Sequence, residues 1–585
     1  MMIDRTDPSF VRVARGDAPA DLVIENGRFV DVFARVVRRG SILIAGGRIA
    51  AVIPEGETAL ARERVDATGF VVLPGFIDAH MHIESTMLPP SGCAMLVLPH
   101  GTTGLVADPH EIANVCGIAG IRWMMADAKS VPMRIWFTAS SCVPASSLET
   151  ANANLQSEDL APLFDDDRII ALAEMMNFPG TIAGDPALMS KIALGLARRG
   201  RVDGHAPGLR GRALQAYVAT GPSSDHECFT AEEALEKIAA GQRVFIREGS
   251  AARNLSALLP AVTQANAHRF CFCTDDVHAC EVADDGHLDR VIRRAAAMGF
   301  DGPTAIAMAS LHVADHFGLG DYGAIAPGRV ADFSLAKIRD GNWKDLRIES
   351  TFVGGRLIST NGKTIKPVPT IATPDFLRNT VRLPDDFGEH SFERTAKANI
   401  PARIVGVVPG QIMTESLLDL PTVEGGWLRA DPSRDLLLLA SIERHGRGGG
   451  IGLGLVRGFG MHCGAIASTV GHDAHNLSVA GASPRDMAVA ARRLAEIGGG
   501  QCIANDGKIV AELPLAIAGL LSDQPPSSVA RDPHAMQKAY LSLGGKLSDP
   551  FMQLAFLPLS VIPHLKLSNC GIIDVDAFRI VPLQD

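Results

Sequence analysis

The chain has 585 residues, which is too long for a single hydrophobic core. This length predicts three or four domains. A hydrophobic share of 47%, a net charge of −10 and no basic run describe an ordinary globular protein and exclude a nucleic-acid-binding surface. No uninterrupted apolar stretch could span a bilayer, no apolar signal core follows the first residue, and the 10 cysteines include no CxxC pair. We therefore expect a cytoplasmic protein with reduced thiols and with neither membrane nor nucleic-acid partners.

Short β-rich segments begin the chain and return after residue 318. The stretch 21–53 places the turn signal Asn26-Gly27 between two β-rich runs, and the stretch 323–358 repeats the pattern. We predict one small composite β-sandwich domain, built from residues 1–70 and 319–365. The alternative is two unrelated β segments.

Strand-like and helix-like runs alternate between these two flanks. Eight apolar runs can be counted, and the segments between them carry helical patterns such as those of 185–199 and 251–266. Eight repeats over about 250 residues match the size of a (β/α)₈ barrel. We predict an α/β chain whose TIM barrel occupies residues 71–318. The predicted strands end at or near His82, Asp108, Phe137, Glu174, His205, His226, Glu248 and Asp275.

The rest of the chain predicts a linker and a further domain. Residues 366–399 are rich in proline and then in charge, which is typical of a linker, and residues 400–585 predict an additional C-terminal α/β domain. Its glycine-rich run 448–454 lacks the Gly-Lys-Ser/Thr of a phosphate-binding loop. The motif Gly471-His472-Asp473-Ala474-His475-Asn476 follows an apolar run. It is either a loop that covers the barrel mouth or a structural turn between domains.

Imidazole and carboxylate side chains close several of the predicted barrel strands. His80 and His82 project to one face of a strand because they are two residues apart. The carboxyl ends of all strands meet at one mouth of a parallel barrel, where neutral imidazoles and carboxylates suit Zn²⁺, Fe²⁺ or Mn²⁺. The metal ligands predicted there are His80, His82, Glu174, His205, His226 and Asp275.

Glu174 stands between the two histidine pairs along the chain and is the expected bridge between two ions. Two ions that share a hydroxide create a nucleophile at neutral pH. Asp275 could take the hydroxide proton and return it to a leaving nitrogen. Two alternatives stay open: each histidine could be a hydrogen-bonded scaffold residue, and Glu174 could form a salt bridge to an arginine.

Further polar residues follow the same strand ends. The expected roles are catalysis for Glu84 together with Asp275, substrate binding for Asp276, Glu248 and His278, and orientation of the metal ligands for Asp108 and His110. For each of these residues the alternative is a solvated loop charge.

Two groups of motifs stand out: residues 74–82 and 326–332, and residues 80–85, 108–115, 174–180, 203–208, 224–227, 273–276, 471–476 and 511–515. The first group resembles motifs of the amidohydrolase superfamily, and the second resembles motifs of its bacterial adenine deaminase family. This second resemblance implies hydrolytic deamination of adenine to hypoxanthine and ammonia, a purine salvage reaction, in which a metal-bridging hydroxide attacks C6 and Asp275 shuttles the proton. It also implies a binuclear centre of iron or manganese, although the six predicted ligands would accept zinc. Many superfamily members bridge their metals with a carboxylated lysine, and Glu174 takes that place here.

Two other functions remain open from the sequence. Another amidohydrolase, such as a cyclic-amide hydrolase, a deacetylase or a deaminase of a modified adenine, would use the same ions with different recognition groups. The pair Asp275-Asp276 favours a deaminase, since a second carboxylate can accept a hydrogen bond from a purine ring N–H. A regulatory protein without catalysis is disfavoured by the intact ligand set. We expect a small purine as substrate and a homo-oligomer, a dimer or larger.

Overall fold

Eight parallel strands form the part of the chain that was predicted as a barrel. The computed structural model describes residues 2–250 and 252–585. Five of the strands form one sheet and three form another, and single bridges from Met81 to Asp275 and from Val202 to Pro222 join the two sheets. This curled arrangement is an α/β fold of the TIM-barrel type. The strands are Phe76–Met81, Thr102–Ala107, Arg134–Ala139, Ile169–Met175, Val202–Gly204, Ser224–Asp225, Arg243–Arg247 and Phe270–Cys273.

Helices lie between the barrel strands and cover their outer faces. Every residue of the strand Ile169–Met175 is buried, as expected for a parallel strand with one face toward helices and the other toward the barrel interior. The helix Pro186–Arg199 begins after Asp185, whose carboxylate accepts from two backbone N–H groups, and ends at Gly200 in the left-handed region. The helices here are Pro90–Val97, His110–Ala128, Ser157–Leu160, Phe178–Ala183, Pro186–Arg199, Gly211–Ala219, Ala231–Ala239, Leu255–Leu258, Ala279–Asp285, Leu288–Ala297, Gly302–Met308 and Leu311–Phe317.

The helix predicted for residues 251–266 is much shorter in the structure. Ala251 lies outside the described residues, α-helix is limited to Leu255–Leu258, and a 3₁₀ turn at Leu259–Ala261 follows. Pro260 has no backbone N–H to donate to a helical hydrogen bond. The spacing of apolar residues in this segment therefore overestimates the length of the helix.

Two sheets flank the barrel, and one of them combines strands from both sides of it. Phe333–Lys337 pairs antiparallel with Val71–Pro74, so segments that precede and follow the barrel share a sheet. Side chains of both sheets belong to one apolar core, which includes Ile44 and Phe352. In spatial order the seven-stranded sheet is Lys363–Thr364, Arg356–Thr360, Arg347–Val353, Phe333–Lys337, Val71–Pro74, Arg28–Asp31 and Val36–Arg39, and the four-stranded sheet is Arg48–Ile53, Ser41–Ala45, Ala20–Glu25 and Ala61–Asp66. The helix Pro8–Ala14 precedes them.

The C-terminal region is organised around a mostly antiparallel eight-stranded sheet. The helix Pro484–Glu496 contributes to the same large apolar core as this sheet. In spatial order the sheet is Thr414–Asp419, Ala402–Val407, Ile451–Arg457, Leu436–Ile442, Leu477–Gly481, Ala465–Ser468, Gly500–Asn505 and Lys508–Pro514. Smaller elements are the strands Thr422–Glu424, Trp427–Arg429, Leu565–Ser568, Gly571–Asp574 and Arg579–Val581, and the helices Pro526–Val529, Asp532–Ser542 and Pro550–Ala555.

The segment between the two regions packs against the protein. Residues 366–399, all of which the structure describes, contain 3₁₀ turns at Asp375–Leu377 and Glu389–Phe392 but no α-helix. Leu377 and Phe392 are almost fully buried, so this predicted linker is anchored by apolar contacts. Over the described ranges, no helix combines the length and the apolarity that a membrane crossing needs.

Candidate active site

The side chains predicted as metal ligands meet at the carboxyl end of the barrel. His80 lies within the first barrel strand and Glu174 near the end of the fourth, while the remaining ligands follow strand ends by one or two residues. All six are buried, with exposed fractions between 1 and 5%. The parallel strands therefore deliver all six to one place.

Glu174 divides its carboxylate oxygens between two groups of ligands. Oε1 lies 3.2 Å from His82 Nε2 and 3.5 Å from His80 Nε2. Oε2 lies 2.6 Å from His205 Nδ1 and 3.2 Å from His226 Nε2. Within the described residues, histidines and not an arginine surround this carboxylate, and the division between two groups is what a bridge between two ions requires.

The donor atoms are spaced as ligands that share an ion are. Two donors that are each about 2.1 Å from an ion lie roughly 3 Å apart. The Nε2 atoms of His80 and His82 are 3.2 Å apart, and they lie 3.3 and 3.1 Å from Asp275 Oδ1. His82 Nδ1 donates to the carbonyl of Asp108 over 3.1 Å, which leaves the Nε2 lone pair for the cluster. His80, His82 and Asp275 thus form one donor group with Glu174, and the other two histidines form the second.

An arginine that was not among the predicted site residues completes the cluster. Arg247, the last residue of its strand, donates to Asp275 Oδ2 over 2.7 Å and pairs with both oxygens of Glu227. Burial alone would raise the pKa of Asp275, but Arg247 and His80 hold it well below its usual value. Asp275 is therefore an anion. The signal for Arg247 is a charged residue that closes a buried strand, but the residue predicted to end this strand at the site was the adjacent Glu248.

Asp108 and His110, which were predicted to orient the metal ligands, lie beside the predicted ligand cluster. His110 Nδ1 is 3.0 Å from Asp108 Oδ2 and 3.5 Å from Glu174 Oε1. Ser140 Oγ donates to the other oxygen of Asp108 over 3.0 Å. The carboxylate is thereby fixed at both ends, and it fixes the imidazole next to the proposed bridge.

Glu84 and Asp276 are two further buried carboxyl groups at the barrel mouth. Asp276 Oδ1 accepts from Ser85 Oγ over 2.5 Å, and burial, reinforced by the adjacent carboxylate, raises the pKa of Asp276. Glu84 Oε1 accepts from the N–H of Ile112 over 3.2 Å, whereas Oε2 has no hydrogen-bond partner among the described residues. Burial, reinforced by Glu111, raises the pKa of Glu84 to about 7. Asp276 lines the cavity at the ligands, and Glu84 lines an adjoining one.

Glu248 and His278, predicted as substrate contacts, have protein partners in the structure. The oxygens of Glu248 bind Arg294 over 2.8 Å and a backbone N–H over 3.2 Å. His278 Nε2 lies 2.9 Å from Asp549 Oδ2 of the C-terminal region, and its Nδ1 donates to a backbone carbonyl over 3.2 Å. Both side chains stabilise contacts between elements around the mouth.

Residues of the C-terminal region close the mouth of the barrel. The cavity at the predicted metal ligands is also lined by Ile412, His472, Asp473, Phe556 and Leu559. Its volume is only about 20 Å³, close to that of one water molecule by this measure. Any substrate larger than a water molecule therefore requires these residues to move apart.

Comparison with known proteins places the chain in a family. Residues 71–358 match the amidohydrolase family, and residues 411–579 match the adenine deaminase C-terminal domain. An adenine deaminase of Desulfatibacillum aliphaticivorans is 42% identical over 99% of both chains. The chain belongs to the adenine deaminase family. The resemblance inferred from the motifs is thereby confirmed.

Other relatives extend the same relationship. An adenine deaminase of Cereibacter sphaeroides is 44% identical over 97% of this chain and 98% of its own. Family membership thus covers the barrel and the C-terminal region together. Among solved structures, an atrazine chlorohydrolase of Arthrobacter aurescens complexed with zinc aligns with 59% of this chain and 96% of its own, at 14% identity and a TM-score of 0.44.

Proposed function

We propose that this protein hydrolyses adenine to hypoxanthine and ammonia at a site for two divalent metal ions. Family membership over nearly the whole chain supports the reaction. The division of the Glu174 oxygens between two donor groups is the observation that supports two ions. Nitrogen and oxygen donors suit Fe²⁺ or Mn²⁺, which we propose as the native ions, and they would also accept Zn²⁺.

The reaction forms a bond from a water oxygen to C6 of the purine and breaks the bond from C6 to the exocyclic nitrogen. Bound divalent ions supply Lewis acidity, which makes water a nucleophile at neutral pH. Asp275 accepts the proton that the water loses and delivers it to the exocyclic nitrogen, so that ammonia leaves uncharged. Arg247 supports this role, since it holds Asp275 as an anion at a fixed position.

We assign the contacts with the purine ring to Asp276 and Glu84. Asp276 lines the cavity at the ligands, and Glu84 keeps one buried oxygen without a hydrogen-bond partner among the described residues. Glu248 and His278 are left out of this assignment because their polar atoms already bind other parts of the protein.

Ammonia release from adenine tests the proposal directly. Protein purified from cells that were grown with iron chelated and manganese supplied should release ammonia from adenine and form hypoxanthine. N6-methyladenine, a cyclic amide and an acetylated amino sugar should react far more slowly. Rapid turnover of one of these compounds without turnover of adenine would overturn the assignment in favour of another amidohydrolase reaction.

Metal analysis tests the two-ion site separately. Glu174→Gln keeps the size of the bridge but weakens both donor groups, so we expect bound metal to fall from about two ions per chain to one or none. Glu349→Gln, on an exposed ion pair with Lys337, is the matched control and should keep both ions. A fully active wild-type enzyme with one tightly bound ion would contradict the bridge.

We also propose that the chain divides as its sequence predicts. The pairing of Phe333–Lys337 with Val71–Pro74 supports one composite β domain from residues 1–70 and 319–365. The separate large sheet supports a C-terminal domain over residues 400–585.

A further inference from the structure

A second cluster of histidine and carboxylate side chains lies where the C-terminal region meets the barrel. Glu111 belongs to the helix His110–Ala128, and His472 and His475 belong to the turn after the strand Ala465–Ser468. Glu111 Oε1 lies 2.7 Å from His472 Nδ1, and Oε2 contacts His475 Nε2. Their exposed fractions are between 1 and 3%, so the three side chains form a contact that solvent hardly reaches.

The protonation of His475 decides what this cluster is. Its Nδ1 accepts a hydrogen bond of 3.1 Å from the backbone N–H of Gly471. The proton of a neutral imidazole must then be on Nε2, where it faces Glu111. A nitrogen that carries a proton cannot bind a metal ion. The cluster is therefore a close contact between one carboxylate and two imidazoles rather than a third metal site.

Glu111 then determines the orientation of His472. An ionised Glu111 has no proton to donate, so the proton between Oε1 and His472 Nδ1 is on the imidazole. The ring of His472 is held from the side as well, because it stacks on Phe556 with centroids 4.5 Å apart and planes 10° from parallel. Carboxylate and aromatic contacts together leave the imidazole one orientation.

The remaining ring nitrogen of His472 is free of protein partners. Among the described residues, His472 Nε2 is buried and has no hydrogen-bond partner. His472 lines both the cavity at the metal ligands and the adjoining cavity that Glu84 lines. A buried polar atom without a partner costs free energy unless a ligand supplies one.

We propose that His472 is a substrate-recognition residue, whose Nε2 hydrogen-bonds to a ring nitrogen of the purine while Glu111 positions the imidazole. The inference rests on the proposed function and extends it, because it gives the C-terminal region a direct part in choosing the substrate. It also explains why a turn of that region is buried against the barrel mouth. Burial opposes protonation of His472, but Glu111 outweighs it and raises the pKa to about 9, so the imidazole presents an N–H donor at neutral pH.

Substitutions of His472 combined with altered purines test the proposal. His472→Phe keeps the aromatic stack and removes the donor, so we expect kcat/KM for adenine to fall about ten- to hundredfold, as for a lost hydrogen bond to a charged group. The amide nitrogen of Gln lies near the position of Nε2 and that of Asn near Nδ1, so His472→Gln should retain more activity than His472→Asn. Glu111→Gln, a positioning variant, should raise KM more than it lowers kcat.

Purines that lack single ring nitrogens identify the contact. One of 1-, 3- and 7-deazaadenine should be a poor substrate of the wild type and should lose no further kcat/KM in His472→Phe, because the same hydrogen bond is already missing. The matched control is His312→Phe, since His312 donates to the carbonyl of Phe270 at the opposite end of a barrel strand. This control should follow the wild type with all purines.

The outcomes separate this proposal from the proposed function. For each deazaadenine, the loss of kcat/KM relative to adenine is compared between wild type and folded, metal-loaded His472→Phe. If this loss is the same in both proteins for every deazaadenine, His472 only joins the domains and the proposal is wrong. If the wild type releases no ammonia from adenine, the proposed function fails instead. Calorimetric titration with hypoxanthine then still decides whether His472→Phe weakens purine binding. If His472→Phe does not fold, His472→Asn and Glu111→Gln carry the same comparison.

Discussion

Arg247 donates a hydrogen bond of 2.7 Å to Asp275 and at the same time pairs with Glu227. The three side chains are buried, so one guanidinium and two carboxylates leave a net negative charge beside the ligand histidines, which favours bound cations. Because Arg247 occupies Oδ2 of Asp275, only Oδ1 faces His80 and His82. The arginine therefore determines which oxygen of Asp275 can receive a proton from a nucleophile at the cluster.

Replacing Asp275 by asparagine tests that proton transfer. Asp275→Asn keeps the shape of the side chain but cannot accept a proton, so kcat should fall at least about a hundredfold. Metal content must be measured in the same sample, because Asp275 is also a proposed ligand. Asp127→Asn is the control, since the partners of this buried carboxylate among the described residues are the backbone N–H groups of Ser91 and Ile371. A fully metallated Asp275→Asn enzyme with nearly normal kcat would refute the role.

Removing the cation of Arg247 should destabilise the barrel and impair catalysis together. Arg247→Met leaves the carboxylates of Glu227 and Asp275 buried without their partner, which costs about 3–5 kcal/mol of folding free energy. Arg247→Lys restores the charge but not the two-pronged contact, so its melting temperature and kcat should lie between those of the wild type and Arg247→Met. Thermal melting and steady-state kinetics measure both. Wild-type melting and turnover in Arg247→Met would contradict the argument.

The side chains that meet at the barrel mouth were predictable because each proposed metal ligand has a local signal. A spacing of two residues identifies His80 and His82, and a polar residue that closes an apolar run identifies Glu174. The predicted run 169–174 agrees with the observed strand Ile169–Met175 to one residue. A long apolar run that ends in one polar residue is a reliable indication of a parallel barrel strand, because such a strand is buried on both faces.

The partners of those ligands were not predictable, since they depend on which strand ends face each other in space. Arg247 and Glu248 are equally polar and adjacent in sequence, yet one reaches Asp275 and the other reaches Arg294 on a neighbouring helix. Glu111 and His472 belong to different regions of the chain, and no spacing relates them. The strand order of the C-terminal sheet was not predictable for the same reason. The sequence of one strand does not indicate which distant strand it pairs with.

A buried lysine should make stability depend on pH. Lys566 is completely buried and donates to the carbonyls of Ile412 and Phe556 over 2.8 and 3.0 Å, and so holds two segments that line the mouth. Burial lowers the pKa of Lys566 to about 7, whereas an unfolded lysine has a pKa of about 10.4. Between these values the unfolded chain binds more protons, so stability rises with pH. The cost of burying the charge is fully present below pH 7 and disappears toward pH 10.

Melting curves of wild type and Lys566→Met at pH values from 6 to 9 measure this effect. The wild type should gain melting temperature relative to Lys566→Met as the pH rises above about 7, because only the wild type loses a buried charge. Lys508→Met, at an exposed position, should follow the wild type. Parallel curves for wild type and Lys566→Met would show that the ammonium is not desolvated as the structure indicates.

The closed mouth should make the enzyme select the free base. The cavity of about 20 Å³ at the proposed ligands is bounded by Ile412, Phe556 and Leu559. A flat purine base requires a smaller opening of this cavity than the same base with a ribose attached. We expect adenine to exceed adenosine by at least about a thousandfold in kcat/KM, since a site that hydrogen-bonds a ring N–H rejects an analogue without it by orders of magnitude. An ammonia-coupled assay measures both substrates. 9-Methyladenine separates the causes: a loss equal to that of adenosine assigns the selectivity to the N–H, and a small loss assigns it to the size of the ribose. Turnover of adenosine at a rate comparable to that of adenine would contradict selection of the free base and leave the metal chemistry untouched.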